Sequence, residues 1–593
     1  MYVQRMQVKP MPVLFYEVPK RLEISKVIIK HLQFICITVI GTVVVVKMHS
    51  AVWSTDTVKT SPRIFVADIN IQFSQMPFIL IKRQRYCSNL LFTSSLTKLK
   101  TDFQYIRPFN RYGCTMKRLL FLSCLFIGGA LAAQTGGYAI NITLKPYKNQ
   151  YVYLGYYYGK IKALADSVKL NSTSTGVFRG KQKLNGGIYF IVSPKKEILF
   201  ELLLDKQQQF SIQADSALLP ASIKFTNSPE NLLFQSYSAY AAANGKNATE
   251  MMSTLSAART AADSAAITSR LRALNEKMVH YRDSISAKYP GTLLSALFKS
   301  LKEPVVPNSK PGAPYDSLFA YNYFKGHYWD GISFTDDRLL RTPIFEPRLD
   351  KYYTTLVVPD PDSITREVDM MLTRAAPNKE MYKYLLTYFV QQYINPQYMG
   401  QDAVFVHLFE KYINNNPSVD WFTEKYKKYM NDRAYSLMAN LIGAPAQNLE
   451  LVDSADKPRP LYDVKAPYVV ICFWDATCSH CKEVVPRLDS IYQAKWKKMG
   501  IVIYGVMVDG GKEAWTNYIR DNNLKDWIHV YETSAQRDAG YAAGKPNYRQ
   551  LYDVYQTPIL YLLDKDKRII AKKLTFDQID EVLTVKMKQA EKQ

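Results

Sequence analysis

The chain has 593 residues and a formal charge of +24, a length that accommodates three or four domains of about 150 residues each. The charge is uneven, with 16 Lys or Arg against 5 Asp or Glu in residues 1 to 115. A basic tract of that kind suits a nucleic-acid partner, and the segment that follows it excludes that reading.

Met116 to Gln134 reads MKRLLFLSCLFIGGALAAQ. Two basic residues precede an apolar core from Leu119 to Ile127, and Ala130-Leu131-Ala132 supplies small residues for cleavage, so residues 116–132 read as a secretory signal peptide. Such peptides act at an N-terminus, so translation is expected to start at Met116, with residues 1–115 a misassigned extension. The alternative for that extension is a membrane anchor at Ile28 to Val46, a stretch that Lys30, His31 and Gln33 interrupt. Cys124 comes too early in the apolar run to carry a lipid. The expected location is the periplasm or cell envelope. Cleavage near Ala132 leaves Cys472, Cys478 and Cys481, too few for a disulfide framework and suited to an enzyme whose own disulfide opens and closes. The mature chain keeps a net +11, enough for attraction to acidic surfaces and no argument for nucleic acid.

Residues 133–226 carry short β-type segments: Tyr138 to Leu144, Tyr151 to Tyr158, Gly176 to Arg179, Gly187 to Val192, Glu197 to Leu204 and Phe210 to Gln213. Gly, Asn, Pro and Lys punctuate them at the spacing of a small β-sandwich. The tyrosines of Tyr151 to Tyr158 read as packing residues of half-buried strands.

Ser228-Pro229-Glu230 then opens a helical region over 227–440, with an N-cap Ser and a Pro at the first position. Helices are predicted at Pro229 to Ala243, Ala248 to Tyr289 with a break near Ser264, Thr292 to Leu301, Tyr315 to Phe324, Pro347 to Tyr353, Ser363 to Arg374, Lys379 to Ile394, Gln401 to Asn414 and Trp421 to Leu441. Apolar residues recur at three and four, as in Met381, Leu385, Leu386, Phe389 and Val390, which marks packing faces. His280, His327 and His407 are isolated and read as structural.

Residues 441–593 hold the chemistry. Tyr468 to Trp474 (YVVICFW) reads as a buried strand, and Cys478-Ser479-His480-Cys481 follows it at the start of a helix. The i, i+3 spacing puts both sulfurs on one helical turn, and the helix N-terminus favours the Cys478 thiolate. Ile501 to Asp509 reads as a second strand and Lys512 to Asn523 as a helix. Thr557-Pro558 precedes a strand ending at Asp564, Arg568 to Lys572 forms another, and Phe576 to Lys588 closes as a helix. Neither a second CxxC nor a spaced His pair completes a zinc ligand set, so no metal is expected. Pro486 is expected to kink the active-site helix.

Leu441 to the C-terminus resembles the TlpA-like thiol-disulfide oxidoreductases of the bacterial envelope. The resemblance rests on Ile442-Gly-Ala-Pro445, on Phe473-Trp474, on CxxCK with Pro486 and on Thr557-Pro558. It implies a thioredoxin-like α/β fold, with Pro558 cis and Thr557 holding a substrate strand by β-type pairing. The expected architecture is therefore multidomain: a small β-sandwich, an all-α region and a C-terminal thioredoxin-like domain. Thr477 stands where many relatives have Trp, Val484 where many have Glu, and Cys472 where thioredoxin has a buried proton-accepting Asp.

The function expected is that of an exported thiol-disulfide oxidoreductase, with Cys478 the nucleophile and Cys481 the resolving thiol. Ser479, His480 and Trp474 would tune the pair, His480 by stabilising the thiolate, unless it is simply an exposed first-turn residue. No cofactor beyond the Cys478–Cys481 disulfide is implied. The partners implied are disulfide-bearing proteins and a membrane or periplasmic thiol electron donor. A disulfide oxidase or isomerase would use the same residues, and an envelope binding protein would use the module as scaffold.

Overall fold

A computed structural model describes residues 35–39, 42–46, 136–307 and 316–590. The chain divides into two compact units, Met1–Leu131 and Ala132–Gln593. In the first, strands β1 (Ile35–Val39) and β2 (Thr42–Val46) pair antiparallel. The expected signal peptide and most of the expected extension lie outside the described residues. Among the described residues, no helix is long and apolar enough to cross a membrane.

The second unit opens with two four-stranded sheets. Strands β3 (Tyr138–Lys145), β4 (Tyr151–Tyr158), β5 (Ile161–Lys169), β6 (Thr175–Gly180), β7 (Gly187–Val192), β8 (Ile198–Leu204), β9 (Gln209–Asp215) and β10 (Lys224–Thr226) are arranged as β10-β9-β3-β6 and β5-β4-β7-β8. The inward faces, among them Ile140, Ile142, Leu154, Phe178, Ile191, Leu202 and Ile212, form one core, so the region is a β-sandwich. The sequence reading passes over β5 and β10. In β5 no residue is fully buried, so this edge strand carries no alternating apolar signal to read.

Helices follow. α1 (Pro229–Ser256) runs unbroken through the predicted gap at 244–247, and the break expected near Ser264 falls at Ala257 to Thr260, about four residues earlier. Thr260 caps α2 (Ala261–Lys288) by accepting from the Asp263 N–H, an end fixed by side-chain capping that hydrophobic periodicity does not register. Next come α3 (Leu293–Ser300), α4 (Ser317–Gly326), α5 (Phe345–Thr355), α6 (Pro361–Ala375), α7 (Lys379–Tyr393), α8 (Asp402–Leu408) and α9 (Glu424–Met438). Their apolar stripes meet in a core that includes Val368, Leu372, Leu385, Phe389, Phe405 and Met430. The sandwich is tied to the helical region through the short 3-10 turn Asp337–Arg341 between α4 and α5: the Gly159 N–H donates to the Leu340 carbonyl at 2.8 Å, and Arg338 pairs with Asp205 at 2.6 Å.

The C-terminal domain is a five-stranded sheet of order β13-β12-β11-β14-β15. Its strands are β11 (Tyr468–Trp474), β12 (Val502–Met507), β13 (Ile528–Tyr531), β14 (Ile559–Asp564) and β15 (Ile569–Lys572). β12 and β13 run parallel to β11, while β14 is antiparallel to it. Helices α10 (Ser479–Ala494), α11 (Lys512–Asp521), α12 (Ser534–Ala542), α13 (Tyr548–Leu551) and α14 (Phe576–Ala590) accompany the sheet. Residues 469 to 474 of β11 are all buried, because the central strand is covered on both faces.

This domain is joined to the helices through buried charge. Asp553 binds both Arg433 of α9 and Lys573, and Arg433 Nε donates to the Ile394 carbonyl at 3.1 Å. Lys572, also buried, pairs with Asp402 and donates to the Asn440 carbonyl and side-chain oxygen, both at 2.7 Å.

Candidate active site

β11 ends at Trp474, and Asp475 to Thr477 turn the chain into α10. The Asp475 carboxylate accepts from the Thr477 N–H and hydroxyl, each at 2.7 Å, which fixes this turn. Gly510 approaches it from the end of β12 with φ of +95°, and a Cβ there would lie 2.5 Å from Asp475 Oδ1. Cys478 is the N-cap residue of α10 and Cys481 its third residue, so the Cys478 sulfur sits where the first free N–H groups of the helix point. Pro486, inside α10, has no N–H to give to the Lys482 carbonyl.

The two thiols have opposite environments. Cys478 is half-buried and Cys481 is 1% exposed. The Cys481 backbone N–H, followed by the Thr557 and Cys481 side chains and the His480 N–H, holds the Cys478 thiol below its ordinary value against a smaller opposing effect of burial. Burial pushes Cys481 from 9.0 to about 11, although its sulfur accepts from the Asp475 N–H at 3.5 Å. Cys472 lies beneath the pair in the same core as Cys481, and complete burial holds its thiol well above 9.0.

The loop before β14 faces Cys478. The Thr557–Pro558 peptide is cis, and the Cys478 thiol donates to the Thr557 carbonyl at 3.7 Å. Four of the sequence-selected residues, Cys478, Cys481, Thr557 and Pro558, therefore meet at one place, although the two pairs are about 80 positions apart in the chain. The others are dispersed. Ser479 is exposed on the first turn. The His480 side chain is 68% exposed and its Nδ1 lies 4.0 Å from Glu483, so its ring is engaged on the helix surface while its backbone N–H serves Cys478. Trp474 is wholly buried against Tyr518 and His529, its indole N–H without a partner.

Sequence reading misses the groups beyond this turn. Asn395, Tyr429 and Arg433, from the helical region, line a cavity of about 710 Å³ together with His480 and Pro558. No local motif marks them, since they reach the site only by packing of the helices on the α/β domain. Among the described residues no group of three or more His, Cys, Asp or Glu side chains could hold a metal ion.

Residues 467–569 match the family described as thioredoxin-like, and residues 263–436 match a domain of unknown function (DUF5106). Comparison with curated proteins gave no match. Among solved structures, a domain of a possible thiol-disulfide isomerase from Cytophaga hutchinsonii is 32% identical over 26% of this chain and 97% of its own, with a TM-score of 0.23. A thioredoxin-like protein from Bacteroides caccae is 19% identical over 48% of this chain and 98% of its own, with a TM-score of 0.37. A thiol:disulfide interchange protein from Bacteroides sp. is 27% identical over 25% of this chain and 90% of its own, with a TM-score of 0.22. The C-terminal domain is thus thioredoxin-like, by the family model that matches it over residues 467–569.

Proposed function

We propose that the chain is an exported enzyme that reduces disulfides of envelope proteins through the Cys478–Cys481 dithiol, recharged by a membrane or periplasmic thiol donor. The observation that carries this reading is the split between the two thiols: one accessible and held toward thiolate, one buried and held protonated, beside a cis-Pro loop. The Cys478 thiolate attacks one sulfur of a substrate disulfide, the S–S bond breaks, and the other substrate sulfur leaves as thiolate. Cys481 then loses its proton and attacks Cys478 Sγ. The mixed disulfide opens, the second substrate thiol is released, and the chain keeps the Cys478–Cys481 disulfide while two electrons pass to the substrate. Cys472 is no acceptor for the Cys481 proton, because burial keeps it a thiol. The thiolate released in the first step is the base that the chemistry itself supplies.

Replacing Cys481 with Ala removes the resolving step, so Cys481→Ala should accumulate covalent adducts in envelope extracts, lost on adding dithiothreitol and absent from Cys478→Ser. An extract without adducts would refute this order of events. A second reading, oxidase or isomerase, draws on the same lowered Cys478, since stabilising the thiolate stabilises the reduced form and raises the potential. Equilibration with glutathione buffers separates the two: a potential near −270 mV supports a reductase, and one around −180 to −120 mV an isomerase or oxidase.

A further inference from the structure

We propose that the helical region forms one wall of the substrate site, and that Tyr429 on this wall selects disulfide-bearing polypeptide segments with an aromatic or apolar side chain next to the cysteine. The inference rests on the thiol-disulfide reading above and names its substrate class. The cavity is lined by His480 and Glu483 from the first turns of α10, by Pro558, Leu560 and Phe576, and by Asn395 and Tyr429 from the helical region. A substrate whose sulfur reaches Cys478 beside Pro558 has its flanking residues carried into this space. At about 710 Å³ the cavity is of ligand-binding size and leaves room for several residues of backbone beyond one side chain.

Tyr429 is 43% exposed, yet its ring is held: Asn395 Nδ2 donates to its hydroxyl at 3.1 Å, and Tyr426 packs against it at 5.9 Å between ring centres. An exposed aromatic ring fixed before binding gives contact area at small entropic cost. The charges around it are already matched. Arg433 and Lys573 share Asp553 within the wall, and Arg487 lies over the Phe576 ring at 5.2 Å and 3.9 Å from Glu483. With Asp577 included, three cations line the cavity against three carboxylates, so a charged ligand gains no net attraction. Aromatic contact is what remains to discriminate, and the small acidic disulfide of glutathione has no such group to offer.

The test uses the full chain in its reduced form. Two short peptides, each with its cysteine blocked as a mixed disulfide with nitrothiobenzoate, differ only in Trp or Asp before that cysteine, and colour release gives the rate constant for reaction at Cys478. The Trp peptide should react roughly 3- to 10-fold faster, the range of one aromatic contact. Tyr429→Ala should abolish this preference and Tyr429→Phe keep it, with the reduction potential of the pair unmoved. A preference that is absent, that survives Tyr429→Ala, or that falls together with a shifted potential overturns the proposal. Calorimetry with the Trp peptide carrying serine in place of cysteine separates the two readings. If neither blocked peptide reacts but this one binds in a Tyr429-dependent way, the redox reading fails and the wall stands; if the peptides react but show no such binding, the wall fails alone.

Discussion

The opposed environments of the two CxxC thiols predict which one reacts first, and how that preference changes with pH. Burial places Cys481 at about 11, against an ordinary 9.0, while Cys478 lies below 9.0. At pH 7 a thiol of pKa 9 is ~1% thiolate and one of pKa 11 ~0.01%, so Cys478 carries at least ~100-fold more of the reactive form. A more basic thiolate is the better nucleophile, with a Brønsted slope of about 0.4–0.5, which returns roughly 6- to 10-fold over two units. The net preference from ionisation is therefore at least about tenfold, and the burial of Cys481 adds to it. Both groups lie on one tryptic peptide, Ala466 to Lys482, which also contains Cys472. Timed iodoacetamide labelling of the reduced chain, read from fragment ions of that peptide, should show Cys478 modified first and Cys472 untouched. By pH 10 the ionisation advantage shrinks to ~10-fold and nucleophilicity cancels it, leaving only access. Labelling of Cys481 within threefold of Cys478 at pH 7, or a ratio that ignores pH, would refute the assignment.

Asp553→Ala leaves the Arg433 guanidinium buried without its carboxylate, which should destabilise the chain by about 3–5 kcal/mol in urea unfolding; a loss under about 1 kcal/mol would mean that the junction does not depend on this pair. His529 is pushed by burial from 6.5 to about 4. Its folded form therefore favours the neutral ring, and the stability this contributes is complete above pH 6.5 and drains away as pH falls toward 4, by about 3 kcal/mol. His529→Phe should lose that part of the slope, and identical pH profiles for variant and parent would contradict the reasoning. Gly505 lies under Trp474 and between its neighbours, where a Cβ would meet His529 Nδ1 at 3.1 Å and Trp474 Nε1 at 3.3 Å. Gly505→Ala should thus cost about 1–3 kcal/mol by overpacking, seen as a lower thermal midpoint, and an unchanged midpoint would show that the rings yield freely.

Local patterns carried the CxxC turn. The buried run of β11, the CxxC spacing and the helix after it are contiguous, and each is a property of neighbouring residues. Thr557-Pro558 was legible for a different reason: the resemblance to the TlpA-like family assigned it a role, and the structure brings it to Cys478. The edge strand β5 was not legible, because it depends on pairing with β4, and the break between α1 and α2 was read about four residues late, because its place is set by the capping hydroxyl of Thr260.

The sequence by itself determined the class of fold at each stage of the chain and the pair of thiols, since both follow from period, spacing and residue type. The place of Cys478 at a helix N-terminus already marked it as the thiol held toward thiolate, and tertiary structure added the burial that holds Cys481 protonated. It also decided where the His480 ring goes and what stands opposite the cis-Pro loop. Arg433 and Asp553 are 120 positions apart, and no rule of local sequence links residues at that distance; Tyr429 comes to line the cavity only because the helices pack on the α/β domain.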